Sequence, residues 1–203
     1  MSFYANRKYK FLEVPDNGEI ETEAFLLASQ DSVINLLDIL GPKAFAFVKA
    51  DVNGNISKLK ARYDENPSKY KTLTAIVLEE IEQGTTRRPH SATDALLWLT
   101  RGLHYMSLFI CNMLQDEKQE ESLKHCMQDA YNKSLKPYHP WVVHKGVQIA
   151  FMAMPYRSQL MHSLSNGVDQ DILKQDIQDY HDLLQGHVDT IKEFYQQRQL
   201  ERI

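Results

Sequence analysis

The chain has 203 residues, of which 43% are hydrophobic and 25% charged, and its net charge is −4. This length allows one domain with a substantial core, and the acidic balance argues against a general nucleic-acid binder, which needs a basic excess. Cys111 and Cys126 make no disulfide framework and indicate free thiols in a reducing compartment. Because the sequence shows no signal peptide and no apolar run of transmembrane length, we expect a cytoplasmic protein.

The first part of the chain has the pattern of successive helices. An amphipathic segment starts a helix near Ile20, and Ser32 is predicted to cap a second helix, which Gly41-Pro42 ends. A longer helix is predicted over about residues 44–64. Asn66-Pro67 is then predicted to begin the next helix.

The helix over residues 44–64 carries a polar stripe beside an apolar one. Asp51, Asn55 and Lys58 fall at i, i+4 and i+7, so they share one face. The apolar stripe is offset by one residue, about 100° around the helix; its members are Val48, Val52, Ile56, Leu59 and Tyr63. A carboxylate, an amide and an ammonium beside a buried face suit a polyhydroxylated head above an apolar body. Solvated helix faces often have the same spacing, so both interpretations stay open.

The next helix has the clearest apolar seam in the chain. Its members are Leu96, Leu99, Leu103, Met106, Ile110 and Met113. Trp98 lies on a neighbouring stripe together with Arg101, Tyr105 and Phe109. We therefore expect its ring to be partly covered, either as a packed edge or as a platform for a ligand.

The second half of the chain continues the helical pattern. A helix is predicted near residues 120–135, and Pro137 and Pro140 fix a rigid approach to another helix from Trp141 to about Met154. Gly167 precedes a last long helix, whose seam is Leu173, Ile177, Tyr180, Leu184, His187 or Val188, Ile191 and Phe194. Since strand-type alternation is missing, the fold class is all-α, with about eight helices in a single domain.

Motifs of enzymes and cofactor-binding proteins are missing from the sequence. We find no P-loop, dinucleotide fingerprint, nucleophile elbow or His-Glu-x-x-His motif. His139 and His144 are five residues apart, which does not place both on one helix face. Asp94 is the one carboxylate that remains as a partner for Asp51 in a glycosidase pair. We therefore predict no catalytic residue, no metal and no cofactor.

Three motifs, in the same order and at similar spacing, resemble the glycolipid transfer proteins. They are Lys49–Lys60, Ala95–Leu103 and Tyr138–Trp141, the last followed by Ala153–Tyr156. The resemblance extends from about Thr22 to Phe194. The phrase His90–Leu99 looks closest to the fungal, single-domain members.

The resemblance implies a two-layer helical sandwich that holds one glycosphingolipid between its layers, as a single domain over residues 1–203 with a core at about 20–196. It also implies roles for individual residues. Asp51, Asn55 and Lys58 would bind the first sugar, and Asp51 would reach the ceramide amide as well. Trp98 would be the plate under that sugar, and His139 would bind the acyl-amide carbonyl.

The apolar and membrane-facing parts of the site are expected on the same basis. Candidates for the tunnel wall are Phe45, Val48, Phe109, Val147, Ala150 and Phe151. Trp141 resembles the family's membrane-touching aromatic residue, and Lys136, Lys145 and Arg157 lie near it in sequence, where they would meet anionic headgroups.

Two positions depart from animal members of the family. Asp94 stands where animal members have an apolar residue, one turn before Trp98. Asp94 and Arg101 are possible headgroup contacts. The extra carboxylate predicts weaker transfer of sulfated or sialylated glycolipids than of neutral ones. Residues 196–203 lack the tyrosine that closes over the site in animal members, so the sequence leaves the closure of this end open.

The resemblance implies a monomeric, non-enzymatic carrier of neutral glycosphingolipids that touches membranes transiently. Carriers of ceramide phosphate have basic residues at the positions matching Asn55 and Trp98, where this chain has an amide and an indole. A ceramide-1-phosphate carrier and a lipid-sensing module without net transfer remain alternatives, and a glycosidase is a third.

Overall fold

The computed structural model describes residues 1–201, which are helical apart from turns, loops and one isolated antiparallel bridge between Glu21 and Thr72. The helices are α1 (Thr22–Ser29), α2 (Asn35–Leu40), α3 (Ala46–Glu65), α4 (Leu73–Glu82), α5 (Ala92–Gln115), α6 (Lys124–Lys133), α7 (Trp141–Met152), α8 (Arg157–Ser165) and α9 (Gln170–Gln197). A π-helical turn (Gln30–Ile34) joins α1 to α2, and a 3₁₀ turn (Lys136–Tyr138) precedes α7.

Helices α1 and α2 form one continuous rod, because the π-helical turn between them keeps right-handed helical backbone angles at both of its ends. The prediction that Ser32 caps a separate helix is therefore wrong. Its hydroxyl instead donates to the carbonyl of Ala28 at 2.7 Å, inside the rod. Counting this rod as one, the described residues form eight rods, which confirms the predicted all-α class and helix number.

Helix α5 is the centre of the fold, since it packs against α3, α4, α6 and α9. Its predicted seam is confirmed, because all six members are buried. The first turn is held by the buried Glu80, whose carboxylate accepts from the backbone amides of Ala92 and Thr93, both at 2.9 Å. Negative charge at a helix N-terminus is stabilising, so Glu80 fixes the start of the helix that carries Trp98.

Helix α4 begins later than the sequence predicts, at Leu73 instead of Asn66-Pro67. The amide of Thr22 donates to the carbonyl of Lys71 at 2.8 Å, and the amide of Leu73 donates to the carbonyl of Ile20 at 3.0 Å. These bonds hold Thr72 extended against the N-terminal segment, while the residues after Asn66 form a hydrogen-bonded turn instead of a first helical turn. Thr72 then caps the helix by accepting from the amide of Ala75.

Helix α9 also packs against α5, and most residues of the seam predicted for α9 are buried. His187 and Val188 are both buried, whereas Phe194 is only half-buried. Tyr195 takes the buried position at this end, and its hydroxyl donates to the carbonyl of Thr93 at 2.8 Å. None of the helices within residues 1–201 combines the length and apolarity needed to cross a bilayer.

Candidate functional site

An apolar cavity of about 350 Å³ lies between α3, α5, α6 and α7. It is lined by Val33, Leu37, Phe45, Phe47, Val48, Asp51, Val52, Trp98, Gly102, Tyr105, Met106, Tyr131, Leu135, His139, Val143, Val147, Ala150 and Phe151. Its size falls in the range of small-molecule sites, and a mostly apolar lining with a few polar groups is typical of them. The cavity thus suits a ligand with a long apolar part.

Five of the six predicted wall residues line this cavity, namely Phe45, Val48, Val147, Ala150 and Phe151. Phe109 does not line it; its side chain is only 1% exposed and belongs to the hydrophobic core. The sequence missed wall residues such as Tyr105 and Met106, which α5 turns toward the cavity. Their apolar spacing was visible, but spacing alone does not tell a cavity wall from a filled core.

The predicted polar stripe of α3 begins at the cavity with Asp51 and continues along the helix to Lys58. Asp51 is exposed and lines the cavity, Asn55 is buried, and Lys58 is half-buried. Asn55 Nδ2 donates to Asp51 Oδ2 at 3.3 Å, and Lys58 Nζ donates to Asn55 Oδ1 at 3.4 Å. The three side chains therefore form one hydrogen-bonded row, with donors and acceptors left over for a ligand.

The carboxyl of Asp51 lies where the apolar lining excludes water on one side. Although Asp51 is exposed on its outer side, this loss of hydration raises its pKa, and Asp94 adds to the rise, while Lys58, His139 and Asn55 oppose it. Asp51 therefore takes up a proton at a higher pH than an ordinary aspartate does. As a carboxylate it can accept two or more hydrogen bonds from hydroxyl groups.

Trp98 is half-buried and lines the cavity near His139. The two rings are nearly parallel, with an interplanar angle of 13° and 6.0 Å between centroids. Tyr138 meets Trp98 edge-on at 6.5 Å. The indole is thus held by aromatic neighbours while part of it remains accessible.

Arg101 is buried against aromatic rings and does not line the cavity. Its guanidinium carbon lies 3.6 Å from the ring centroid of Tyr138 and 4.8 Å from that of Trp98. Nη2 donates to the carbonyl of Glu201 at 2.9 Å. These contacts give Arg101 a supporting position beside Trp98.

The other expected headgroup contact, Asp94, and residues 196–201 are not among the residues that line the cavity. Asp94 is half-buried in the first turn of α5 and does not line the cavity. Residues 198–201 follow the end of α9, and the last two residues of the segment 196–203 lie outside the described residues.

His139 lies in the loop between the 3₁₀ turn and α7 and lines the cavity. Its Nδ1 is 3.0 Å from the hydroxyl of Tyr131. Burial lowers the pKa of His139, and His144 and Arg101 lower it further, while Asp51 raises it. The imidazole is therefore neutral at pH 7 and has one nitrogen available to the cavity.

Helix α7 exposes apolar side chains to solvent. Trp141 is 68% exposed, and the same surface includes Val142, Ile149 and Met152, each more than half exposed. We call these four residues the α7 apolar face. Lys145 lies over the Trp141 ring, with Nζ 4.7 Å from its centroid. An exposed apolar group of this kind marks a surface that meets a protein or a membrane.

The three basic residues expected near Trp141 have different environments. Lys136 and Lys145 are exposed, but Arg157 is buried and is not available to a headgroup. Its guanidinium donates to the carbonyls of Met113 and Glu120, both at 3.0 Å. It also pairs with Asp116.

Asp116 belongs to a small group with His125 and Cys126, whose potential metal-ligating atoms lie within 4.8 Å of one another. The guanidinium of Arg157 already bonds the carboxylate of this group. Burial raises the pKa of Cys126 to about 11, so the sulfur is a thiol at pH 7. A cation is therefore disfavoured here, because the group contains a fixed positive charge and no thiolate.

Comparisons with known proteins place this chain in a class. Residues 20–166 match the family model "Glycolipid transfer protein (GLTP)". The Glycolipid transfer protein of Danio rerio is 37% identical over 164 residues, which cover 79% of this chain and 78% of the relative. The chain therefore belongs to the glycolipid transfer protein family. Pleckstrin homology domain-containing family A member 8 of Rattus norvegicus is 38% identical over 160 residues, but these span 30% of that longer protein.

Solved structures agree with this assignment. The GLTP-fold structure that addresses how FAPP2 selects simple glycosphingolipids has a TM-score of 0.89 and 30% identity, covering 99% of this chain and 98% of the other. The fungal glycolipid transfer protein HET-C2 has a TM-score of 0.85 and 29% identity, covering 96% and 97%. These values confirm the two-layer helical fold, but they do not single out the predicted fungal subtype.

Proposed function

We propose that this protein carries a sphingolipid with a neutral sugar head from one membrane to another. The observation that carries the proposal is the apolar cavity whose lining includes Asp51, Trp98 and His139. Relatives named as glycolipid transfer proteins support the same class of ligand. The proposal explains why polar and aromatic groups meet beside a cavity that is otherwise apolar.

In this proposal the sugar is held by the polar row of α3 and by Trp98. The Asp51 carboxylate accepts from sugar hydroxyls, Asn55 both donates and accepts, and Lys58 donates. A hydrogen bond to a charged group is worth about 1.5–3 kcal/mol, compared with about 1 kcal/mol for a neutral one, so Asp51 contributes more than Asn55. The apolar face of the sugar lies on the indole, whose rigid ring loses little entropy on binding.

The ceramide part uses the groups deeper in the site. Its acyl-amide carbonyl accepts from His139, and its amide N–H donates to Asp51. The hydrocarbon chains enter the apolar cavity, because each methylene that leaves the bilayer for water costs about 0.8 kcal/mol. A carrier must replace this lost burial, and the apolar lining of the cavity provides it.

Membrane contact is proposed for the α7 apolar face. Trp141, Val142, Ile149 and Met152 are exposed on one helix, and Lys136 and Lys145 lie close in sequence. Aromatic and apolar side chains prefer the bilayer interface, and lysines are attracted by anionic headgroups. Several exposed side chains on one short helix favour transient, peripheral binding.

The finer features of the proposal follow the family resemblance. We expect a cytoplasmic monomer of the fungal single-domain type, with one domain over residues 1–203, that moves lipid without changing it chemically. The fungal type rests on the segment His90–Leu99, because the FAPP2 and HET-C2 structures are similar to this chain to nearly the same degree. Recognition of a sugar is favoured over recognition of a phosphate because Arg101, the arginine beside Trp98, is engaged by Tyr138 and the Glu201 carbonyl.

The test is lipid transfer between vesicles of phosphatidylcholine, with fluorescent galactosylceramide compared with fluorescent ceramide-1-phosphate. We expect rapid movement of galactosylceramide alone. Preference for the phosphate lipid would retain a sphingolipid carrier and reject the sugar specificity. Binding without transfer of either lipid would indicate a sensor, and release of the sugar on long incubation would indicate a glycosidase.

Asp94 adds a prediction about charged sugars. Its carboxylate is close enough to Asp51 to raise the pKa of that group, so two acidic side chains lie near the proposed position of the sugar. We expect sulfated galactosylceramide to move more slowly than galactosylceramide, and Asp94→Asn to reduce the difference. Equal transfer of both lipids by the unmodified protein would contradict this prediction.

A further inference from the structure

Tyr131 occupies a position to which neither the sequence pattern nor the proposed function assigns a role. It lies on α6, is 1% exposed, and lines the cavity. Its ring is packed edge-on against Phe151 at 6.0 Å and Tyr105 at 6.4 Å, so the side chain is held in place. Its hydroxyl oxygen is 3.0 Å from Nδ1 of His139.

The hydrogen bond between these residues determines where the imidazole proton lies. A buried phenol O–H needs an acceptor, and within residues 1–201 the partner found for the Tyr131 hydroxyl is His139 Nδ1. His144 faces the Tyr131 ring edge-on at 5.9 Å, but its Nε2 lies 3.3 Å from the carbonyl of Lys136. Burial raises the pKa of Tyr131 and lowers that of His139, so both groups are neutral at pH 7.

A neutral imidazole carries one proton, on either Nδ1 or Nε2. If Nδ1 accepts from Tyr131, the proton must be on Nε2. The opposite tautomer would leave the buried Tyr131 O–H without an acceptor among the described residues, which costs stability. The 3.0 Å distance fits this tautomer, and the need of the buried O–H for an acceptor favours it over the other one.

We propose that Tyr131 is a positioning residue that holds His139 as the Nε2–H tautomer and thereby makes it a hydrogen-bond donor to an acyl-amide carbonyl. The inference rests on the proposed function, because it concerns how the same site chooses its ligand. It specifies N-acylated sphingolipids as the substrate class. Lipids with a free amine in place of the amide gain nothing from this donor.

The first measurement is the ¹⁵N spectrum of His139 in the unmodified protein at neutral pH. We expect the shifts of a pyridine-type Nδ1 and a pyrrole-type Nε2. A protonated Nδ1 would overturn the proposal without any variant. Because this measurement needs no substitution, it tests the proposal even if a variant at residue 131 does not fold.

The second measurement is binding of galactosylceramide and of galactosylsphingosine, which lacks the acyl carbonyl, from phosphatidylcholine vesicles. Tyr131→Phe removes the hydroxyl and keeps the ring. We expect it to weaken binding of galactosylceramide about three- to tenfold, the effect of one neutral hydrogen bond, and to leave galactosylsphingosine unchanged. Tyr180→Phe is the matched control, because the buried hydroxyl of Tyr180 also makes one hydrogen bond, to Ser32, but Tyr180 does not line the cavity.

A double-mutant cycle separates positioning from general packing. In the His139→Ala background, Tyr131→Phe should cause no further loss, because its effect acts through the imidazole. His139→Gln should retain part of the affinity, since its carbonyl can accept from Tyr131 while its amide donates to the ligand. Equal weakening of both lipids, or a full effect in the His139→Ala background, would show a structural role only.

Failure of this inference can be told apart from failure of the proposed function. If the unmodified protein binds galactosylceramide and Tyr131→Phe binds it equally well, the positioning role is rejected and the carrier remains. If the unmodified protein binds neither galactosylceramide nor galactosylsphingosine, the proposed function itself is rejected.

Discussion

Two histidines, His187 and His139, show how differently the two sides of α5 are built. His187 is 4% exposed and lies between Phe11 and Phe25, with ring centroids at 5.1 and 5.9 Å. Its Nδ1 lies 2.9 Å from the carbonyl of Leu183 in the same helix. His139 is also held by aromatic neighbours, but the cavity that it lines is mostly apolar and lies between α3, α5, α6 and α7.

Burial lowers the pKa of both histidines, so the shift alone does not identify the functional one. The difference lies in what surrounds each ring. Around His187, aromatic residues of the N-terminal segment and α1 pack against the ring on α9, and a second cleft of about 400 Å³ beside it has Glu13, Glu19 and Lys71 in its lining. Around His139, α3, α5, α6 and α7 leave space between them. We infer that the α9 side mainly supplies stability and that the cavity side supplies binding.

The largest expected effect is the loss of transfer when the cavity side is changed. Trp98→Ala removes the proposed plate under the sugar, and Asp51→Val removes the proposed acceptor of its hydroxyls. Each should abolish vesicle-to-vesicle transfer of galactosylceramide, while circular dichroism stays near that of the unmodified protein.

Asp64→Val is a control for the Asp51 variant, because Asp64 is an exposed carboxylate on the same helix that does not line the cavity. It should transfer lipid normally. Normal transfer by either Trp98→Ala or Asp51→Val would show that the headgroup site is assigned to the wrong residues.

The next effect is on the free energy of unfolding and concerns the side of α5 that carries His187. Phe25 is 2% exposed and its ring stacks near His187. Phe25→Ala should lower the free energy of unfolding by about 3–5 kcal/mol, because a large cavity is left in a packed core. Denaturant unfolding measures this change. At a temperature where the variant is still folded, transfer should remain close to normal; its loss would contradict the division of roles between the two sides.

The smallest predicted effect is a dependence of stability on pH. The pKa of His187 is lowered by burial, so between that pKa and the ordinary histidine value of about 6.5 the unfolded chain binds the proton and the folded protein does not. The free energy of unfolding should therefore fall as the pH drops below about 6.5. His104 and His139, whose pKa values burial also lowers, act in the same direction.

Replacing His187 by leucine removes one of these protonation sites and should make the loss of stability in acid shallower. Denaturant unfolding at pH 7.5 and pH 5.5 gives the slope for each variant. His139→Gln serves as the comparison on the cavity side. If His187→Leu leaves the change of unfolding free energy with pH as it was, proton binding at His187 does not control stability in this range.

The sequence predicted those features that depend on one helix at a time. The seam of α5 from Leu96 to Met113 is buried as expected, because a helix with a repeated apolar face buries that face. Asp51, Asn55 and Lys58 form one row because their spacing fixes their common side. The sequence motifs also identified Trp98 and His139, which line the same cavity.

Features that depend on neighbouring elements were harder to predict. Phe109 shares a stripe with Trp98, but helical spacing does not show which neighbour each residue of the stripe meets. Arg157 is near Trp141 in sequence, yet its guanidinium is bound by the carbonyls of Met113 and Glu120. Ser32 has the side chain of a helix cap, but the π-helical turn keeps the chain helical through it.

The placement of the two tryptophans has a practical consequence. The chain contains two tryptophans, one in the lining of the cavity and one on the exposed face of α7. Their intrinsic fluorescence can therefore act as two separate optical channels in a protein without an added dye. Emission from Trp98 follows occupancy of the cavity, and emission from Trp141 follows what the outer face touches, so replacing one indole by phenylalanine isolates the signal of the other.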